Sequence, residues 1–225
     1  MYRPAWSRLV VCVVSLLVLP ILAALATACG APEESKPRPL PEDPQTLSPG
    51  TYRSEEFEPS LTFTVGEGWS NLIWETSDHL ALAWRDTREL HFVAAREVYE
   101  PAKTGVPDVV EAPEDLVGWF REHPYLRTTE PKPVTVGGVE GSRFDVVVGE
   151  VPERYYGACG SDCVDIFRVE NSTLGHWKGG KARAIVLEGV EGETVTIGVV
   201  SPVGEFDEFA PEAQKVIDTV EWRGS

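Results

Sequence analysis

Catalytic signatures are what this sequence most plainly lacks. It has no Gly-x-Ser-x-Gly elbow and no His-Glu-x-x-His pair, and its histidines stand far apart at positions 79, 91, 123 and 176. A nucleophile with its base, a pair of acid–base carboxylates or a metal set tends to leave such a mark. The expectation is a non-catalytic protein with no cofactor and no metal; a secreted hydrolase would need distant residues to converge. Positive charge is also scarce, with 20 Lys and Arg against 36 Asp and Glu and a net charge of −16. That argues against nucleic acid as a partner, because phosphate backbones are held by basic patches. An acidic surface is likewise repelled by anionic lipid headgroups. Long apolar runs are absent except for one, residues 9–25.

That run follows Arg3 and Arg8, contains Ser15 and Pro20, and ends in Ala26-Thr27-Ala28-Cys29-Gly30. A basic start, an apolar stretch and a small-residue end make a secretory signal. The last five residues resemble the lipobox of bacterial lipoproteins. The resemblance implies cleavage before Cys29 and lipidation of that cysteine by a diacyl or triacyl group. Ala26 stands where leucine is more usual, and Leu25 lies one residue earlier. Two alternatives stay open: cleavage after Ala28 without lipid, or an uncut helix near the ~18 residues needed to span a bilayer. The resulting division is a lipoprotein signal peptide at 1–28, a lipidated Cys with a disordered Pro-rich tether at 29–50, and an α+β domain at 51–225. The chain is then anchored in the cell membrane and faces the extracytoplasmic side.

Of four cysteines, Cys12 falls in the leader and Cys29 is the anchor. Cys159 and Cys163 remain as a C-x3-C pair, most simply a disulfide outside the cytoplasm. A redox pair or a zinc site are the alternatives. The first lacks the C-x2-C spacing and the second lacks further nearby ligands.

The domain opens with period-two alternation. Leu61, Phe63 and Val65 alternate with Ser60, Thr62 and Thr64, which predicts a half-buried strand. Further strands are predicted over 71–75, 80–84 and 90–99, giving an antiparallel meander. Pro113 to Pro124 predicts a helix with Pro113 at its first position and Leu116, Trp119, Phe120 and His123 on one face. Gly137-Gly138 turns a hairpin. Residues 164–169, 182–187 and 194–200 read as strands, with 171–180 as a loop. Phe206, Phe209, Ala210, Ala213, Val216, Ile217 and Val220 follow a 3.6-residue repeat, with the helix expected to begin near Pro211.

The order SLTFTVGEGW, DLVGWF, PVTVGGVEGSRFDV, paired strands, an amphipathic helix and Val220-Glu221-Trp222 resembles PsbP-like domains over residues 50–223. The resemblance implies an α/β/α sandwich around a central antiparallel sheet. It also implies a binding or assembly factor without shared catalytic residues. The expected function is an anchored binding or assembly module of the cell envelope, its partner an envelope protein. Its candidate surface is Tyr155, Tyr156, His176 and Trp177, aromatic residues placed on predicted loops. The alternative is a carrier holding a small apolar ligand between sheet and helix.

Overall fold

A computed structural model describes residues 36–71, 75–85, 87–158, 160, 162–170 and 172–223. The predicted leader, Cys29, Trp74 and Cys159 lie outside them. The chain begins with β1 (Arg38–Pro39), β2 (Gly50–Arg53) and β3 (Leu61–Val65). Residues 36–50 were expected to form a free tether, and from Lys36 onward they are packed on the domain. Two apolar residues among the prolines account for this: Leu40 is 5% exposed and Leu47 3%. The Asn71 amide fixes the backbone between them. It donates to the carbonyls of Pro41 and Asp43 at 2.9 and 3.0 Å and accepts the Gln45 N–H at 2.8 Å.

Next come β4 (Trp69–Asn71), β5 (His79–Trp84), β6 (Arg88–Ala94) and β7 (Glu97–Tyr99). The single long strand expected over 90–99 is in fact two. At Ala95 and Arg96 the backbone bonds turn to Thr194 and Ala94, and β7 leaves for another sheet. There it pairs with β8 (Val109–Glu111). Helix α1 (Leu116–Glu122) is capped by Asp115, whose Oδ1 accepts the Gly118 N–H at 2.7 Å. The cap therefore displaces Pro113 from the expected first helical position, because a carboxylate that accepts an orphan N–H defines the start.

Then follow β9 (Leu126–Thr128), β10 (Lys132–Val136) and β11 (Val139–Val148). Gly137 and Gly138, with φ of 55° and 82°, make the turn between the last two. The chain continues with β12 (Cys163–Val169), β13 (Ser172–Trp177), β14 (Gly180–Val190) and β15 (Glu193–Pro202). Helix α2 (Phe206–Ile217) and β16 (Glu221–Trp222) close it. Pro211 lies inside α2, not at its start. Phe206 and Phe209, at 1% and 0% exposure, pin the first turns to the core. Arg88 reaches Glu205 at 2.8 Å and Glu208 at 3.2 Å.

The described residues form three sheets, in the orders β1-β2-β3-β16, β10-β11-β14-β15-β6-β5-β4 with β9 on β11, and β13-β12-β7-β8. Alternation along the central strands separates two cores. Leu90, Phe92, Ile185, Leu187, Val195 and Ile197 face α2 and the first sheet. Val93, Ala184 and Val186 face α1 and the third sheet. The domain is thus mostly antiparallel sheet with two helices. Each face of the large sheet is covered by one helix together with a smaller sheet, which corrects the expectation of helices alone on a single sheet.

Candidate functional site

A cleft of about 380 Å³ lies between the large sheet and the third sheet, with Phe120 of α1 in its wall. Strand register builds its floor. Val93, Thr196 and Val186 lie side by side on one rung, and His91, Gly198, Ala184 and Phe144 on the next. Glu89, Val200, Ala182 and Val146 form the third rung. Period-two geometry points all of these at the same face. The roof is β12 and β13: Ile166, Phe167, Leu174, His176 and Trp177.

The space exists because the middle of the floor carries small residues. Gly198 and Ala184 occupy the middle rung and Ala182 the next, where packed strands usually carry branched side chains. Nothing in the backbone requires Gly198. It is not among the positive-φ glycines, and a Cβ there would meet its nearest atoms only at 3.8 Å, ordinary contact. A glycine in a central strand forgoes packing; here it keeps the floor low.

Two buried polar side chains face this apolar space. His176 is 4% exposed and Thr196 3%. Neither ring nitrogen of His176, nor the Thr196 hydroxyl, makes a hydrogen bond of ordinary geometry. The carbonyls of Val146 and Gly180 lie near the ring and favour its protonated form, but burial outweighs them and takes the pKa down to about 4. His176 is therefore neutral, with one nitrogen to donate and one to accept. At the side of the cleft, Glu89 Oε2 lies 2.9 Å from His91 Nε2. His91 Nδ1 lies 3.0 Å from His79 Nε2. The network assigns His91 as donor to Glu89 and His79 as donor to His91. Burial first, then the neighbouring His91, takes the His79 pKa down to about 3.

Among the described residues, no cation faces the cleft from its floor. Arg183 contributes to the wall, but it alternates with Ala182 and Ala184, so its side chain lies on the α2 face. There its guanidinium is 5.4 Å from the Phe206 ring and Lys181 Nζ 4.4 Å. Both hold Asp145, at 2.9 and 3.0 Å. Burial opposes that carboxylate, but the bonds from Arg183 and Lys181 prevail and lower its pKa.

The expected aromatic surface is not one surface. Residues 172–177 are strand β13 rather than a loop, so His176 is buried in the cleft and Trp177 forms part of its wall. Tyr155 is 1% exposed and sits in the second core, its hydroxyl accepting the Asp165 N–H at 3.0 Å. Burial is the main cause of its pKa rising to about 12. Tyr156 alone is exposed, at 61%. Cys163 is buried at the start of β12 and lines the cleft. Glu89, His91, Thr196 and Gly198 were not expected. The turn between β5 and β6 would have found the histidine contact, since it pairs Ala81 with His91 and His79 with Val93. The expected pocket between sheet and helix is a cleft between two sheets.

No protein-family model matches the chain. No curated protein matches it either. Among solved structures it is similar to CyanoP, the cyanobacterial PsbP of Synechocystis. The TM-score is 0.40 at 8% identity, covering 78% of this chain and 94% of that one. It is also similar to LpqN, involved in cell envelope biogenesis of Mycobacterium tuberculosis. There the TM-score is 0.36 at 8% identity, covering 80% of this chain and 90% of that one. The first is of the PsbP type that the sequence motifs resemble. Likeness at these values carries no argument about chemistry or partners, which rest on this chain's own residues.

Proposed function

We propose that the protein is a lipid-anchored, extracytoplasmic, non-catalytic module of the cell envelope that binds a small, largely apolar ligand in the cleft between its sheets. The observation that carries the binding reading is the low floor at Gly198, Ala184 and Ala182, open at Gly198 where the backbone would accept a larger side chain. The volume, about 380 Å³, falls in the usual range for ligand pockets, roughly 300–1,000 Å³. Apolar walls with a few placed polar groups are the ordinary composition of such sites.

Anchoring rests on Arg3, Arg8, the apolar run and Ala26 to Gly30. Cys29→Ser should move the protein from membrane to medium; a variant that still sediments with membranes would mean an uncut helix instead. The Cys159–Cys163 disulfide belongs to the same reading. It would close the tip that leads into β12, beside the cleft wall that Cys163 forms. Intact mass before and after reduction, differing by two hydrogens, checks it.

Ligand binding is tested by Gly198→Val. A β-branched residue suits a central strand and would fill the floor. The variant should fold at least as well as the parent and lose the ligand. A variant that folds and still retains it would place the ligand elsewhere or nowhere.

A further inference from the structure

The two unpartnered polar side chains lie at different places along the cleft. His176 has the carbonyls of Val146 and Gly180 near its ring, which puts it over the rung of Val146, Ala182 and Val200. Thr196 sits four residues from Val200 on the same strand. At about 3.3 Å per residue, that is roughly 13 Å along the strand direction. Between them lie Gly198 and Ala184, with Phe120, Ile166 and Phe167 in the opposing wall. At about 30 Å³ per heavy atom in a condensed liquid, the cleft takes roughly a dozen heavy atoms.

Charge narrows the ligand further. Among the described residues, Glu89 is the only carboxylate in the lining, and Arg183 turns its guanidinium to the far face of the sheet toward Phe206. An anionic head would be desolvated without a facing cation and beside a carboxylate, which is strongly unfavourable. A cationic head at Glu89 would share a carboxylate that already holds His91 through Oε2, and it would be desolvated in an otherwise apolar cleft, a cost that can exceed the Coulombic gain.

Resting on the binding reading above, we propose that the ligand is a linear, uncharged molecule of about a dozen heavy atoms with a hydrogen-bonding group at each end. One end reaches the ring of His176 and the other the hydroxyl of Thr196, and the apolar middle lies over Gly198 and Ala184. Medium-chain diols, hydroxy-esters and hydroxy-amides are the chemical class. Each end group gives a buried polar atom the partner it lacks, so a molecule with one such group leaves one of the two unsatisfied.

The test is calorimetric titration of the exported full-length Cys29→Ser protein, which needs no detergent, with decanediol, decanol, decanoate and decylammonium. Decanediol should bind about threefold to tenfold more tightly than decanol, the equivalent of one net hydrogen bond. Decanoate and decylammonium should bind at least about tenfold more weakly than decanediol. Thr196→Val and His176→Phe, near-isosteric and without an orphaned polar atom, should fold and should each erase the preference for the diol over the alcohol. Equal binding of diol and alcohol, or a preference that survives both substitutions, would overturn the two-anchor inference while leaving the cleft as a binding site. Decanoate or decylammonium binding as well as the diol would overturn it too. If none of the four binds and Gly198→Val leaves every retained ligand in place, the binding reading itself fails and takes this inference with it.

Discussion

Mild acid should destabilise this fold through three buried imidazoles. His79 is held at about pKa 3 and His123 and His176 at about 4, in each case first because burial penalises the charged ring. In the unfolded chain each titrates near the ordinary value of about 6.5. Between those values the unfolded chain binds protons that the folded one does not, so stability falls as pH falls. The loss begins as pH drops through about 6.5 and levels off near 4 for His123 and His176, and near 3 for His79. Moving from pH 7 to pH 5 costs about 2 kcal/mol per site, or about 6 kcal/mol together. That is a large share of the ~5–15 kcal/mol that holds a typical domain. Glu75 works the other way, since burial raises its pKa and the folded state then gains from a proton. Urea unfolding at pH 7, 6 and 5 measures the slope. His176→Phe should remove about a third of it and leave the remainder to His79 and His123. Equal unfolding midpoints at pH 7 and pH 5, or an unchanged slope in His176→Phe, would refute the reasoning.

Phe209 is fully buried between the rings of Trp69 and Trp84, each 6.0 Å away. Phe209→Ala should cost roughly 3–5 kcal/mol in urea unfolding. Asp115→Ala removes the side-chain N-cap of α1 and should cost about 1 kcal/mol. Asn71→Ala strips the partners from Pro41, Asp43 and Gln45. It should speed limited proteolysis within residues 40–47, with little change in cleavage elsewhere.

β3 is legible in sequence from its clean alternation, the inner half of β14 from its unbroken apolar run Ala184–Leu187 and the inner half of β15 from its apolar residues at 195, 197 and 199. So is α2 from its 3.6-residue repeat. Elements whose limits depend on tertiary partners are not. Residues 36–50 look like a tether because five prolines dominate the composition, and only the fold shows that Leu40, Leu47 and Asn71 hold them down. The break at Ala95 depends on a bond to Thr194, far along the chain. His176 and Trp177 stand out in the sequence as a pair, on what reads as a loop. The glycines at 175 and 180 mask a strand whose pairing with β12 buries the imidazole. Gly198 gave no local signal, because its meaning lies in what faces it from another sheet. The C-x3-C pair and the leader were legible as motifs, and their chemistry is a matter for mass spectrometry and fractionation.

Native mass spectrometry of the exported Cys29→Ser protein, beside the same protein carrying Gly198→Val, tests the binding cleft most directly. A mass excess that is lost on denaturation in the first and missing from the folded second is the result expected. An empty protein that also takes up none of the titrated ligands, or a mass excess unchanged by Gly198→Val, would contradict it.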